Sequence, residues 1–204
     1  MKKLLIGLTL TVSAFGLAHA GGDPVAGEQK AAVCAACHGP TGVSMVPTWP
    51  NLAGQGERYL TKQSIDIREG RRVVPEMVGI IDMFSDDDIR DISAFYARQS
   101  ANVGQARAEL AEIGRDLYRA GDLAKGIPAC TACHMPNGGG NAPAAFPAVS
   151  GQHREYTIAQ MHAFRSGERD NDPNAMMRRI AERMSDAEIE AVVEYMYGLH
   201  GTNR

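Results

Sequence analysis

The four cysteines of this 204-residue chain fall as two pairs of one form, Cys34-Ala35-Ala36-Cys37-His38 and Cys130-Thr131-Ala132-Cys133-His134. Two residues between the cysteines put both sulfurs on one side of a helical turn, where they can add to the two vinyl groups of a porphyrin. The next residue is carried beneath the ring. That residue is histidine, whose imidazole can bind the iron from the proximal face. The pattern reads as covalent attachment of c-type heme, and two copies imply two hemes. Cys34, Cys37, Cys130 and Cys133 are then the attachment residues, and His38 and His134 the proximal ligands.

Other uses of these residues fit less well. A structural zinc site wants four tetrahedral Cys and His ligands, and joining both motifs in one such site leaves the surrounding repeat unexplained. A redox dithiol of the thioredoxin kind expects a βαβ context, and no segment alternates as a strand does. Disulfides suit an oxidising compartment, but heme attachment uses all four thiols.

The sixth ligands must come from ten methionines, any of which can simply fill gaps in a core. The repeat supplies a filter, because a ligand used by both halves has a counterpart. Counting back from Ser85 and Ser185, Met77 and Met177 coincide, whereas Met83 falls opposite Arg183, Met176 opposite Glu76, and Met184 opposite Phe84. Met77 and Met177 are the expected axial ligands, with the adjacent Met176 as the competitor in the second half. His153, His162 and His200 have no histidine at the equivalent places of the first half and read as ordinary surface or core histidines. Histidine–methionine ligation favours ferrous iron and a fairly high potential.

The elements that must position these groups also come in duplicate. Trp49-Pro50, Gly54-Gln55, Tyr59, Gln63, Arg68 and Gly70 match Phe146-Pro147, Gly151-Gln152, Tyr156, Gln160, Arg165 and Gly167. Tyr59, Gln63 and Ile67 have helical spacing, as do Tyr156, Gln160 and Phe164, with Gly70 and Gly167 as stops. Ser85-Asp86-Asp87-Asp88 and Ser185-Asp186-Ala187-Glu188 resemble capping boxes. Behind them, Ile89, Ile92 and Phe95, and then Ile189, Val192 and Met196, form buried stripes. Asp23-Pro24 starts a helix leading to Cys34, and Leu110, Ile113 and Leu117 continue helical spacing before a loop from Gly121 to Pro128. The boundary between halves falls near Gly104, giving domains over 21–103 and 104–204. Each holds about 80–100 residues, a size at which one core is marginal unless a large cofactor completes it.

Composition sets the remaining bounds. With 44% apolar and 22% charged residues and a net charge of -3, disorder and collagen-like structure are excluded, and there is no general attraction for nucleic acid. Residues 1–20 read as a signal peptide: Lys2 and Lys3, an apolar run to Leu17, and Ala18-His19-Ala20 before the expected cleavage. The mature chain is expected to be periplasmic, without a transmembrane segment; peripheral membrane association stays open.

Taken together, Cys34–Gly39, Leu52–Leu60, Pro128–His134 and Ser150–His153 resemble the diheme cytochrome c4 family over essentially the whole mature chain. The resemblance implies an all-α fold of two tandem cytochrome c-like domains, each built around one heme, packed about a pseudo-twofold axis. It places the family's methionine ligands on Met77 and Met177. It also implies that Pro50 and Pro147 accept the histidine Nδ1–H bond, and it offers Trp49, Arg68 and Arg165 as contacts for heme propionates. The stretch from Arg71 to Glu76 is shorter than the family leads one to expect. A six-coordinate iron has no open position for substrate, so the expected role is one-electron transfer between redox proteins, from a quinol-oxidising complex to a terminal oxidase. The alternatives are the heme subunit of a periplasmic dehydrogenase of flavocytochrome type and a diheme peroxidase-like enzyme.

Overall fold

Residues 21–200 are described by a computed structural model; the leader expected over 1–20 lies outside them. The first half holds α1 (Pro24–Lys30), α2 (Ala35–His38), α3 (Glu57–Arg68) and α4 (Asp86–Ala97). The second holds α5 (Ala108–Ala120), α6 (Thr131–His134), α7 (Arg154–Ser166), α8 (Met176–Ala181) and α9 (Asp186–Gly198). Among the described residues the only β pairing is two isolated bridges, Asp122 with Ile127 and Asn141 with Phe146.

Local chemistry explains where the helices begin. Asp23 accepts from the amides of Val25 and Ala26 ahead of Pro24, satisfying donors that a helix start leaves open. Ser85 with Asp88, and Ser185 with Glu188, close reciprocal capping boxes at the starts of α4 and α9. In each half the first and last helices cross at a glycine. A Cβ on Gly27 would lie 2.0 Å from the Asp91 carbonyl oxygen, and one on Gly114 would lie 2.0 Å from that of Ala191. No side chain larger than hydrogen fits either crossing.

The buried stripes are those of the sequence pattern, with Ile89, Ile189 and Val192 fully buried and Ile92 and Phe95 packed alongside. Leu110, Ile113 and Leu117 lie on α5 as their spacing suggested, with Ile113 60% exposed and Gly114, Leu117 and Tyr118 buried. The glycine crossing rotates α5 so that the residue after Ile113 meets α9. The two cores also place their large ring differently. Tyr96 on the last helix shares a buried cluster with Ala31, just beyond the first, whereas Tyr118 on the first shares one with Met196 on the last. The same volume is filled from opposite sides.

Buried Glu194 fastens the second half together. Its carboxylate accepts from the Arg107 amide at 2.6 Å, the Arg107 guanidinium at 2.9 Å and the Arg154 guanidinium at 2.8 Å. This joins the beginnings of α5 and α7 to α9. The first half has Ala94 at that place.

Candidate heme sites

The two Cys-x-x-Cys-His segments adopt the same turn. The His38 amide donates to Cys34 O at 2.9 Å, and the His134 amide donates to Cys130 O at 2.9 Å. The loop that follows closes identically in both halves. Gly42 O accepts from Leu52 and Ala53 at 2.7 and 3.0 Å, and Gly138 O accepts from Val149 and Ser150 at 2.7 and 3.0 Å. That closure brings a proline carbonyl back over each histidine. His38 Nδ1 lies 2.9 Å from Pro50 O, and His134 Nδ1 lies 2.8 Å from Pro147 O.

These contacts define the state of each imidazole. A carbonyl accepts only, so Nδ1 carries the proton and Nε2 keeps its lone pair. Burial pushes both histidines below their ordinary range, against the smaller upward pull of the proline carbonyls. Both rings are therefore neutral, oriented and nearly buried, at 8% and 9% exposure, with the ligating nitrogen unused by the protein. This is the donor that heme iron requires, so the residues present fit the group.

The cysteines fit covalent attachment better than redox chemistry. Burial pushes the Cys130 thiol up to about 11 and the Cys34 thiol upward as well. A reactive dithiol needs the opposite shift. All four thiols are partly buried and unpaired with one another. Among the described residues no three His, Cys, Asp or Glu side chains converge as metal ligands, so the two motifs do not build a shared zinc site.

Met77 ends a tight turn over Pro75–Met77 and is half-buried. Met177 is the second residue of α8 and packs against the same apolar cluster as Cys130; Met176 does not join it. Immediately before α8, Asn174 and Ala175 take left-handed backbone, at φ 56° and 54°. That is a costly conformation for residues with a Cβ, and it fixes how the methionine pair enters the helix.

Arg68 and Arg165, which the resemblance offers as propionate contacts, are engaged within the protein. Arg68 donates to Phe84 O at 2.9 Å and pairs with Asp86, and Arg165 donates to Met184 O at 3.1 Å and pairs with Asp186 at 2.6 Å. Both tie the central helix of a half to the cap of its last helix. Of the spare histidines, His153 is not simply surface or core: its Nε2 lies 3.0 Å from Ser44 O, across the boundary between halves. His162 lies 3.7 Å from Asp186, and His200 is exposed.

Sequence reasoning also missed a polar cluster between the halves, where Arg72 and Arg169 each donate to Gln63 and Gln160. The signal was available. Both arginines stand two residues beyond Gly70 and Gly167, the point where the repeat is next interrupted.

Two helical domains, each closing a Cys-x-x-Cys-His turn under a proline carbonyl, define a tandem c-type cytochrome, and the sequence matches the cytochrome c family over residues 25–98 and 111–200. The chain belongs to the cytochrome c4 family, electron carriers that bind two c-type hemes. It is 51% identical to cytochrome c4 of Azotobacter vinelandii, over 98% of this chain and all of that one. The reduced recombinant cytochrome c4 from Pseudomonas stutzeri superimposes with a TM-score of 0.86 at 48% identity, over 88% of this chain and all of that one. A thiosulfate dehydrogenase electron acceptor from Stutzerimonas stutzeri is 41% identical, over 81% of this chain and 78% of its own.

Proposed function

We propose that the chain carries electrons between exported redox proteins through two hemes. One is held by Cys34, Cys37, His38 and Met77 in a domain over 21–103, and the other by Cys130, Cys133, His134 and Met177 in a domain over 104–204. The observation that carries this assignment is the pair of histidines whose Nδ1 faces a proline carbonyl and whose Nε2 is free. Bound heme supplies one-electron exchange between ferrous and ferric iron. The chain's own residues do the rest. Pro50 and Pro147 orient the imidazoles and increase their basicity, the apolar clusters exclude water, and Met77 and Met177 would be the second protein ligands of the irons, leaving no place for substrate.

Met77→His replaces a soft thioether with a better ligand for ferric iron. Spectroelectrochemical titration is expected to show one potential falling steeply and the other shifting weakly; two unchanged potentials exclude Met77 as a ligand. Carbon monoxide separates carrier from peroxidase-like enzyme: the reduced native protein stays unreactive if both irons are saturated, and binds stoichiometrically at one heme if one is open.

For partners, a quinol-oxidising complex as donor and a terminal oxidase as acceptor fit an exported carrier whose residues 1–20 have the form of a cleaved leader. No helix among the described residues is long and apolar enough to cross a membrane. The likeness to a thiosulfate dehydrogenase electron acceptor supports a second donor, a periplasmic dehydrogenase. Mixing the oxidised protein with either donor and its substrate, and following heme reduction, decides between them.

A further inference from the structure

We propose that the turn from Gly121 to Pro128, with Arg179 and Arg183 beside it, is a docking element for an acidic protein surface, by which a redox partner meets the second domain and not the first. Its redox consequence rests on the two-heme reading above.

The turn belongs to the second half alone. The first half runs from the glycine crossing at Gly27 through one short turn, Ala31–Val33, to Cys34, whereas the path from Gly114 to Cys130 is nine residues longer. Those residues are firmly held. The Asp122 and Ile127 amides each donate to the other's carbonyl at 2.8 Å, and Asp122 Oδ1 accepts from the amides of Ala124 and Lys125 at 3.0 and 3.2 Å. Ile127, 1% exposed, anchors the turn in the core, while Leu123 at its tip is 92% exposed. A leucine held on a braced turn loses little further conformational freedom when it meets a partner.

One exposed leucine is ordinary by itself, but this one stands among cations. The Arg183 guanidinium donates to Gly126 O at 2.7 Å, and Lys125 pairs with Glu188 at 2.6 Å. The carbonyl that holds Arg183 is neutral, so the arginine keeps its full charge. Arg179, earlier on α8, is exposed and has no hydrogen bond or ion pair among the described residues. Nearby carboxylates are engaged, Asp122 by the amides of the turn and Asp172 by Arg178 at 2.7 Å; Glu182 alone stands between Arg179 and Arg183 in the chain. The first half is the reverse. Counted from the capping serines, Gly79 and Met83 take the places of Arg179 and Arg183, and residues 76–83 carry Glu76 and Asp82 with no basic side chain, against three arginines and one glutamate over 176–183. In a molecule of net charge -3, attraction for an anionic surface is thereby confined to one domain.

An apolar anchor inside a cationic rim is the form of a protein interface, where a few buried contacts give affinity and the rim gives orientation and encounter rate. An anionic lipid surface shares the charge but gains little from a single leucine. The turn ends at Pro128, two residues before Cys130, so a protein seated on it stands beside a cysteine assigned to the second heme. A docked partner of this kind exchanges one electron with that heme, and the first domain stays open to a partner of different surface.

The test is an NMR titration of the reduced, matured holoprotein with an oligoglutamate peptide and with the same peptide carrying a central phenylalanine. Amide resonances of 122–127 and 179–183 are expected to move, those of 76–83 to stay, and the phenylalanine peptide to bind more tightly. Arg179→Gln, which removes no contact within the protein, is expected to weaken both peptides about threefold at low ionic strength, and Leu123→Ser to abolish the advantage of phenylalanine. Saturating peptide is expected to lower one heme potential, the one that Met177→His also lowers, and to leave the other nearly unmoved. Movement centred on 76–83, affinities indifferent to Arg179→Gln and Leu123→Ser, or a bound peptide that shifts neither potential overturns the docking element, and the carrier reading stands while both hemes titrate. Absence of two one-electron steps in the unsubstituted protein removes the carrier reading instead. Phosphatidylglycerol vesicles at physiological ionic strength are expected to leave these resonances in place; vesicles that move them and displace the peptide make this a membrane face and overturn the protein partner.

Discussion

At the scale of single residues, the decisive atoms are the two unused Nε2 nitrogens and the thioethers proposed to oppose them. Met177 packs with Cys130 on one apolar cluster, whereas Met176, its neighbour, does not. Met177→Ala is expected to open one iron, so that carbon monoxide binds half of the reduced hemes, while Met176→Ala leaves the protein unreactive. Reversed behaviour in a gas titration assigns the ligand to Met176. The cysteine pairs were legible because heme attachment dictates both type and spacing. For Arg68 and Arg165 the repeat reveals equivalence but not the direction of a side chain. They occupy matching places in both halves, yet what they serve is the cap of the following helix.

At the scale of helices, the capping boxes and the glycine crossings make separable demands. In α9, the Lys125 ammonium at 2.6 Å, together with the Ser185 amide and hydroxyl, holds Glu188 down to about 2 from an ordinary 4.5. A carboxylate depressed in the folded state contributes its full stability above the unfolded value and loses it as pH falls through the folded one. Glu188→Gln is therefore expected to lower the melting temperature at neutral pH, by an amount that shrinks below pH 4.5 and vanishes near pH 2. Parallel melting curves across that range refute the charge role. At the crossing, Gly114→Ala forces a methyl against the Ala191 carbonyl and is expected to cost about 1–3 kcal/mol in overpacking, measurable by denaturant titration. The caps could be read from four consecutive residues. The crossings could not, because the need for glycine arises only when two helices far apart in sequence meet. The exposure of Ile113 follows from that same contact and was invisible for the same reason.

At the scale of the whole molecule, the question is why two domains of marginal size behave as one carrier. Each half lends a glutamine to the other's histidine-orienting loop. Gln55 pairs with the Ala148 backbone through bonds of 2.9 and 2.8 Å, and Gln152 pairs with that of Asn51 through bonds of 2.9 and 2.8 Å. Ala148 follows Pro147, and Asn51 follows Pro50, so the peptide that aims each imidazole is gripped by the opposite domain. Removing one glutamine leaves a backbone donor and acceptor unsatisfied in a largely buried interface, at a cost of about 1–3 kcal/mol. Gln55→Ala combined with Gln152→Ala should then uncouple the halves without touching either core. Calorimetry of the holoprotein is expected to show one cooperative transition, separating in the double variant into two that differ in midpoint, because Glu194 and its arginines brace only the second half. A single sharp transition in the double variant means that the remaining bonds between the halves, the Arg72 and Arg169 cluster foremost, still hold the domains together, and adding Arg72→Gln to it should then produce the split.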